Sequence, residues 1–196
     1  ISACSAEVFH VRLNEEMPEA LRVALEPLMK SIEELTVRIR HYDKLGEKLC
    51  AQKYPETENL RAISGVGSIT SLAFVLTLEE SSRFVKSRDV GPFIGLVPRR
   101  DQSGATDKQL GITKAGDAYL RRLLVGSAQY ILGPFGPDCD LRRFGLKLAA
   151  RGGKNAKRRA VVAVARKLAV LMHHLWKSGE VYELLHEQRS TQKQAA

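Results

Sequence analysis

The chain has 196 residues, 44% of them hydrophobic and 27% charged, with a formal net charge of +9. That length suffices for one cored domain, or for a small domain carrying a helical extension. No apolar run approaches the roughly 18 residues needed to cross a bilayer and no signal-peptide pattern opens the chain, so membrane and secretory classes are disfavoured.

The charge is unevenly placed. Residues 1–64 hold 9 Lys/Arg and 11 Asp/Glu, a net of −2; residues 65–196 hold 22 and 11, a net of +11. A basic half joined to a near-neutral one points to a polyanion partner for the first and a mechanical role for the second. Cys4, Cys50 and Cys139 are odd in number and form no CxxC pair, and the five histidines form no HxxxH or HExxH pattern. Reduced thiols in a cytoplasmic protein, with no metal site inside this chain, are the expectation. The chain opens on Ile1 rather than Met, which reads as a fragment of something longer.

Residues 19–50 carry Leu21, Leu25, Leu28, Ile32, Leu35, Ile39, Tyr42, Leu45 and Leu49 in steps of three and four. This predicts one long helix with a narrow apolar seam, read as a coiled-coil face in preference to a helix lying on a core. Pro27 is expected to break or kink it, and residues 51–57 read as a linker. Residues 1–57 are therefore assigned as a helical, coiled-coil linker that also supports homo-oligomer formation.

From Asn59 a short helix with Leu60 and Ile63 runs into Gly65-Val66-Gly67, and a second helix begins near Ser68. This resembles a helix-hairpin-helix motif. Its glycines permit a tight turn and leave backbone N–H groups facing outward, able to grip a DNA phosphate without reading sequence. The alternative is a structural helical hairpin with no ligand. A short helix near residues 87–94, interrupted by Gly91-Pro92, then a polar loop over residues 98–116, follow. Further helices are predicted over residues 117–132, then to Ala150 with Asp138 or Asp140 as cap, and over residues 156–177. Long strand patterns are absent. The fold class is all-α, with a DNA-binding domain over residues 58–187 and a frayed tail at residues 188–196.

Between Arg142 and Lys167 stand ten Lys/Arg and no acidic residue, among them Arg151, Lys154, Lys157, Arg158 and Arg159. Such a run repels itself unless an anion sits there, which favours nucleic-acid backbone over a merely solvated face. Phe144 and Trp176 read as core. In the polar loop, Ser103 is followed by Gly104 and lies near Arg99, Arg100, Lys108, Lys114, Arg121 and Arg122 in sequence. A serine in a loop is usually a turn former. Here arginines could neutralise a phosphate, and the dipole of the helix near Asp117 adds to them. A free hydroxyl is a weak nucleophile, and no histidine is placed as its base.

The ordered set SGVGSIT, GLVPRRDQSG, GITKAGDAYLRRLL and RGGKNAKRRAVVAVARKLA resembles the C-terminal serine domain of IS110-family insertion-sequence transposases, over about residues 60–182. The resemblance implies a DNA recombinase in which Ser103 becomes covalently joined to DNA. It also implies divalent metal (Mg) in a separate RuvC-like nuclease domain, a connecting coiled coil, assembly on bacterial DNA in the nucleoid, and a structured guide RNA in some members. Ala115 and Asp117 depart from the basic residue and Asn common in relatives, and Ser64 from a proline. No acidic metal quartet is found, so this chain alone is expected to bind DNA without completing transposition. A truncated, non-catalytic DNA-binding module is the alternative; a helical oligomerisation protein is a third reading.

Overall fold

A computed structural model describes residues 4–103 and 106–186. They are predominantly helical, as the all-α assignment requires, and divide into compact units at residues 1–49 and 50–196.

In the first unit, α1 (Ala6–Glu16) is followed by α2 (Glu19–Lys53), whose 35 residues run straight through Pro27. The expected break at Pro27 does not occur. Proline removes one hydrogen bond, to the carbonyl of Val23, and Val23 is 84% exposed, so solvent satisfies that carbonyl. Glu7 and Arg40 form an ion pair across α1 and α2 at 3.8 Å. Of the seam, Leu21, Leu28, Leu35, Ile39, Tyr42 and Leu45 are exposed. The expected linker shortens to a turn at residues 54–56, because α2 continues to Lys53 and α3 (Thr57–Arg61) starts at once.

The second unit is organised around α8 (Ala156–Ser178). Its positions 160, 164, 168 and 172, with 165 and 169, are buried, forming the apolar stripe of a core helix. Against it pack α4 (Ser68–Leu78), α5 (Val90–Phe93), α6 (Ala118–Leu132) and α7 (Asp140–Ala149), sharing Phe74, Leu78, Ile94, Leu120, Leu124, Ile131 and Leu141 in one cluster. Gly145 lets α7 close on α8: a Cβ there would lie 2.5 Å from Val164 Cγ2. Trp176 packs edge-on against Phe74 at 6.3 Å between centroids.

Three local expectations change. Gly91-Pro92 does not interrupt its helix but lies in the first turn of α5, where proline is tolerated. Neither Asp138 nor Asp140 caps α7; Cys139 holds the cap position without a side-chain bond, and Asp138 instead accepts from Arg143 Nε at 2.8 Å. The segment 98–116 contains an antiparallel hairpin, β1 (Pro98–Ser103) and β2 (Thr106–Ile112), with an irregularity between Pro98 and Arg100. Its strands are mostly polar in sequence, so no strand period is visible.

His173 is fully buried and holds the segment before α5. Its Nε2 lies 3.0 Å from the Ser81 carbonyl and its Nδ1 2.9 Å from Ser87 Oγ. A carbonyl only accepts, so Nε2 carries the proton and the Ser87 hydroxyl donates to Nδ1. Burial lowers the pKa of His173 below its ordinary 6.5; the Ser81 bond opposes this, and Lys177 and His174 add to it. Below pH 6.5 the unfolded chain therefore binds a proton that the folded one resists, so this contribution is complete above that pH and is lost as pH falls. Urea midpoints should drop between pH 7.5 and 5.5, and His173→Gln should flatten that slope; an equal slope in the variant would contradict the assignment.

Candidate nucleic-acid interface

The hairpin is rooted by backbone, not by side chains alone. Gly95 and Gly116 have φ of +76° and +66°, and a Cβ at Gly116 would stand 2.1 Å from the Phe93 carbonyl. Thr113 N donates to Val97 O at 2.9 Å, and Lys114 N to Gly95 O at 3.2 Å with Lys114 itself at φ +58°. Arg121 closes the root: its Nη1 donates to Ile94 O at 3.0 Å and Ala115 O at 2.8 Å. Arg121, expected as a phosphate ligand, thus donates from Nη1 to two carbonyls of the root.

Ser103 is exposed at the far end of β1, paired with Thr106. Arg99 and Arg100 are also exposed, but strand alternation separates them: position 99 shares a face with 103 and position 100 takes the other. Four residues of strand put the Arg99 backbone about 13 Å from that of Ser103, a span that the long arginine side chain shortens. The helix dipole does not serve Ser103 either. The N-terminus of α6 lies at the hairpin root, and its cap is filled by Asp117, which accepts from Leu120 N at 2.5 Å. Lys114 is exposed at the same root.

A second feature is the turn between α3 and α4. Gly65, at φ +87°, packs on α6: a Cβ there would meet Tyr130 Cδ1 at 3.0 Å and Ser127 O at 3.1 Å. Gly67 is different; its φ is −95° and nothing lies within 4 Å of an added Cβ. The first-turn N–H groups of Ser68, Ile69 and Thr70 precede any intrahelical carbonyl, and no side chain caps α4. Arg122, Gly126 and Tyr130 of α6 complete an open notch around them. Arg122, read from the sequence as one of the cations around Ser103, is the cation placed at this notch. The signal in sequence was its position four residues before Gly126, which clears one face of α6.

The third feature is the start of α8. Gly152 and Gly153, at φ +74° and +95°, turn the chain, and Arg151, Lys154, Lys157, Arg158 and Arg159 are all exposed. The described ion pairs include none of these five. Three cations in the first turn of a helix oppose its dipole, a cost that an anion would remove. The expectation that all ten cations from Arg142 to Lys167 are uncompensated needs correction. Arg142 donates to Ile131 O at 2.6 Å and Gly133 O at 2.5 Å, closing the C-terminus of α6, and Arg143 is paired with Asp138. That bond also holds the Asp138 carboxyl below its ordinary value.

Among the described residues no group of three or more His, Cys, Asp or Glu could hold a metal ion, and no helix is long and apolar enough to cross a membrane. All three cysteines are free, with Cys50 and Cys139 buried.

Residues 57–137 match the Transposase IS116/IS110/IS902 family. The chain is similar to the transposase for insertion sequence element IS1111A of Coxiella burnetii, at 33% identity over 182 residues, 87% of this chain and 49% of that protein. It is 35% identical over 102 residues to the transposase for insertion sequence element IS1328 of Yersinia enterocolitica, 52% of this chain and 28% of that one. A probable family 20 transposase of Pseudomonas aeruginosa is 32% identical over 75 residues, 38% and 22% of the two chains. The chain thus spans half or less of the length of these relatives. The first two of these relatives are transposases of insertion sequences, and the family match lies within residues 57–137.

The two neighbouring arginines of α6 provide a direct check. Arg121→Ala orphans two carbonyls and should cost about 1–3 kcal/mol, whereas Arg122→Ala should change stability by less than about 0.5 kcal/mol. Urea unfolding of both variants decides it; equal losses would mean that Arg122 is also structural.

Proposed function

We propose that this chain is the DNA-gripping, serine-bearing part of an IS110-family transposase. The observation that carries the reading is Ser103: an exposed hydroxyl at the end of a rooted hairpin, inside the segment that matches a transposase family. On this reading Ser103 Oγ attacks a scissile phosphodiester. A P–Oγ bond forms, the bond from phosphorus to a sugar oxygen breaks, and the Oγ proton is relayed to that sugar oxygen, which leaves as a hydroxyl. A DNA hydroxyl later attacks the same phosphorus and releases the serine, completing strand exchange.

Arg99, on the face of Ser103, binds phosphate of the same strand. The α3–α4 turn grips another through the free N–H groups of α4, with Arg122 beside it. Such a helix-hairpin-helix contact holds backbone and carries no sequence information. Arg151, Lys154, Lys157, Arg158 and Arg159 add an electrostatic surface of the same kind. Lys114 and Arg100 contribute charge at the root and on the opposite face of the hairpin.

Activation of Ser103 comes from outside these elements. His173 is buried with both ring nitrogens engaged, and the described carboxylates assemble no metal site. On this reading a metal-bearing nuclease domain, as the family resemblance implies, supplies that activation. The exposed seam of α2 supports pairing with a second helix, hence a homo-oligomer on DNA, and a guide RNA belongs to the same reading.

Two experiments test it. With the nuclease domain and element-end DNA supplied, wild type should form a covalent protein–DNA adduct and Ser103→Ala should lose it while binding DNA normally. An adduct unchanged in Ser103→Ala would move the chemistry elsewhere; no adduct from either protein would favour a non-catalytic DNA-binding module. Separately, duplex affinity should fall with salt, and replacing Arg151, Lys154 and Lys157 together by Gln should flatten the log–log slope by about 0.9 for each phosphate no longer neutralised. A slope that does not change would remove the α8 surface from the interface.

A further inference from the structure

Between the root of the hairpin and the N-terminal half of α8 lies a groove of about 810 Å³, within the roughly 300–1,000 Å³ of built ligand sites. Its floor is apolar, made by Leu96, Ile112, Phe144 and Val162, and its rim is cationic, made by Arg158, Arg159 and Arg166. Among the described residues, no acidic side chain lines it. The rim is set in place: the Arg166 stem packs over Gly91, whose Cβ position lies 3.1 Å from Arg166 Cγ. Phe144 is half-buried, and Lys167 Nζ sits 4.8 Å from its ring centroid.

A grip on duplex backbone needs cations but has no use for an apolar floor, because the bases of a duplex are stacked inside it. An apolar body joined to anions is what an unpaired nucleotide presents. We propose that this groove takes an unpaired nucleotide of a DNA single strand, with the base on Phe144, Ile112 and Val162 and the flanking phosphates on Arg158, Arg159 and Arg166. This rests on the reading of the chain as a DNA-handling protein and extends it to unpaired DNA. The placement supports the choice of DNA. Pro98 borders the groove and begins β1, so a strand leaving along β1 covers about 17 Å before Ser103. An opened strand near its cleavage point would be held by the base on one side of that path.

The probe is a labelled single-stranded DNA 15-mer, compared by fluorescence anisotropy with its duplex and with RNA of the same sequence. Ala163→Phe fills the groove from α8 without altering charge. It should weaken single-strand binding about tenfold, the order of one stacked base, and leave duplex affinity within about twofold. Arg166→Gln, at an exposed position, should weaken the single strand more than the duplex and guards against misfolding of the first variant. Equal effects on both DNAs, or none, would overturn the groove assignment while leaving the duplex reading intact. Sensitivity confined to RNA would overturn the choice of DNA. Failure of wild type to bind any of the three at low salt would remove the DNA-handling reading itself.

Discussion

The close approach of backbone to backbone at the hairpin root governs the rest of the second unit. Gly95 and Gly116 occupy left-handed conformations within contact distance of the opposite segment, and no larger residue fits at Gly116 against the Phe93 carbonyl. Arg121 adds a charge to this contact, spent on two carbonyls. Because α5, the hairpin and α6 meet here, one constraint fixes the direction of β1, the start of α6 and the wall of the groove against α8. A hairpin with polar strands would have no reason to hold a defined direction without such a root. With it, the exposed serine is carried at a defined distance from the helices.

Charge in this unit sorts by what each cation touches. Arg121 and Arg142 close main-chain carbonyls, and Arg143 holds a carboxylate, so all three serve the fold. Arg122 and the five cations around Gly152-Gly153 meet no acidic partner in the described ion pairs. This division runs along single helices: residues 121 and 122 are adjacent on α6, one turned to the hairpin root and the other to the notch beside α4. The basic surface is therefore narrower than the composition implies, and more specifically placed.

Much of this was legible in the sequence where a physical rule leaves few options. The start of α4 at Ser68 and the bounds of α8 follow from glycine turns and apolar periodicity, whereas the capping carboxylate was expected on α7 and stands instead at Asp117 of α6. The hairpin was not legible, because its strands, Pro98–Ser103 and Thr106–Ile112, are mostly polar in sequence and carry no period-two signal. Nor could the sequence divide Arg121 from Arg122, since both stand in the same basic dipeptide and only packing decides which carbonyls are near. Ser103 was singled out through resemblance and polarity, and it stands exposed at the end of β1. Pro27 does not end α2, because one missing bond is easily borne by a 35-residue helix.

The central claim is that the free end of the rooted hairpin lies against DNA backbone. Thiol labelling tests it most directly, since Cys50 and Cys139 are buried and contribute little background. In a Cys4→Ser background, Ser103→Cys should react rapidly with a maleimide in the free protein and be shielded by saturating duplex DNA. Labelling that is slow without DNA, or equally fast with it, would contradict the account.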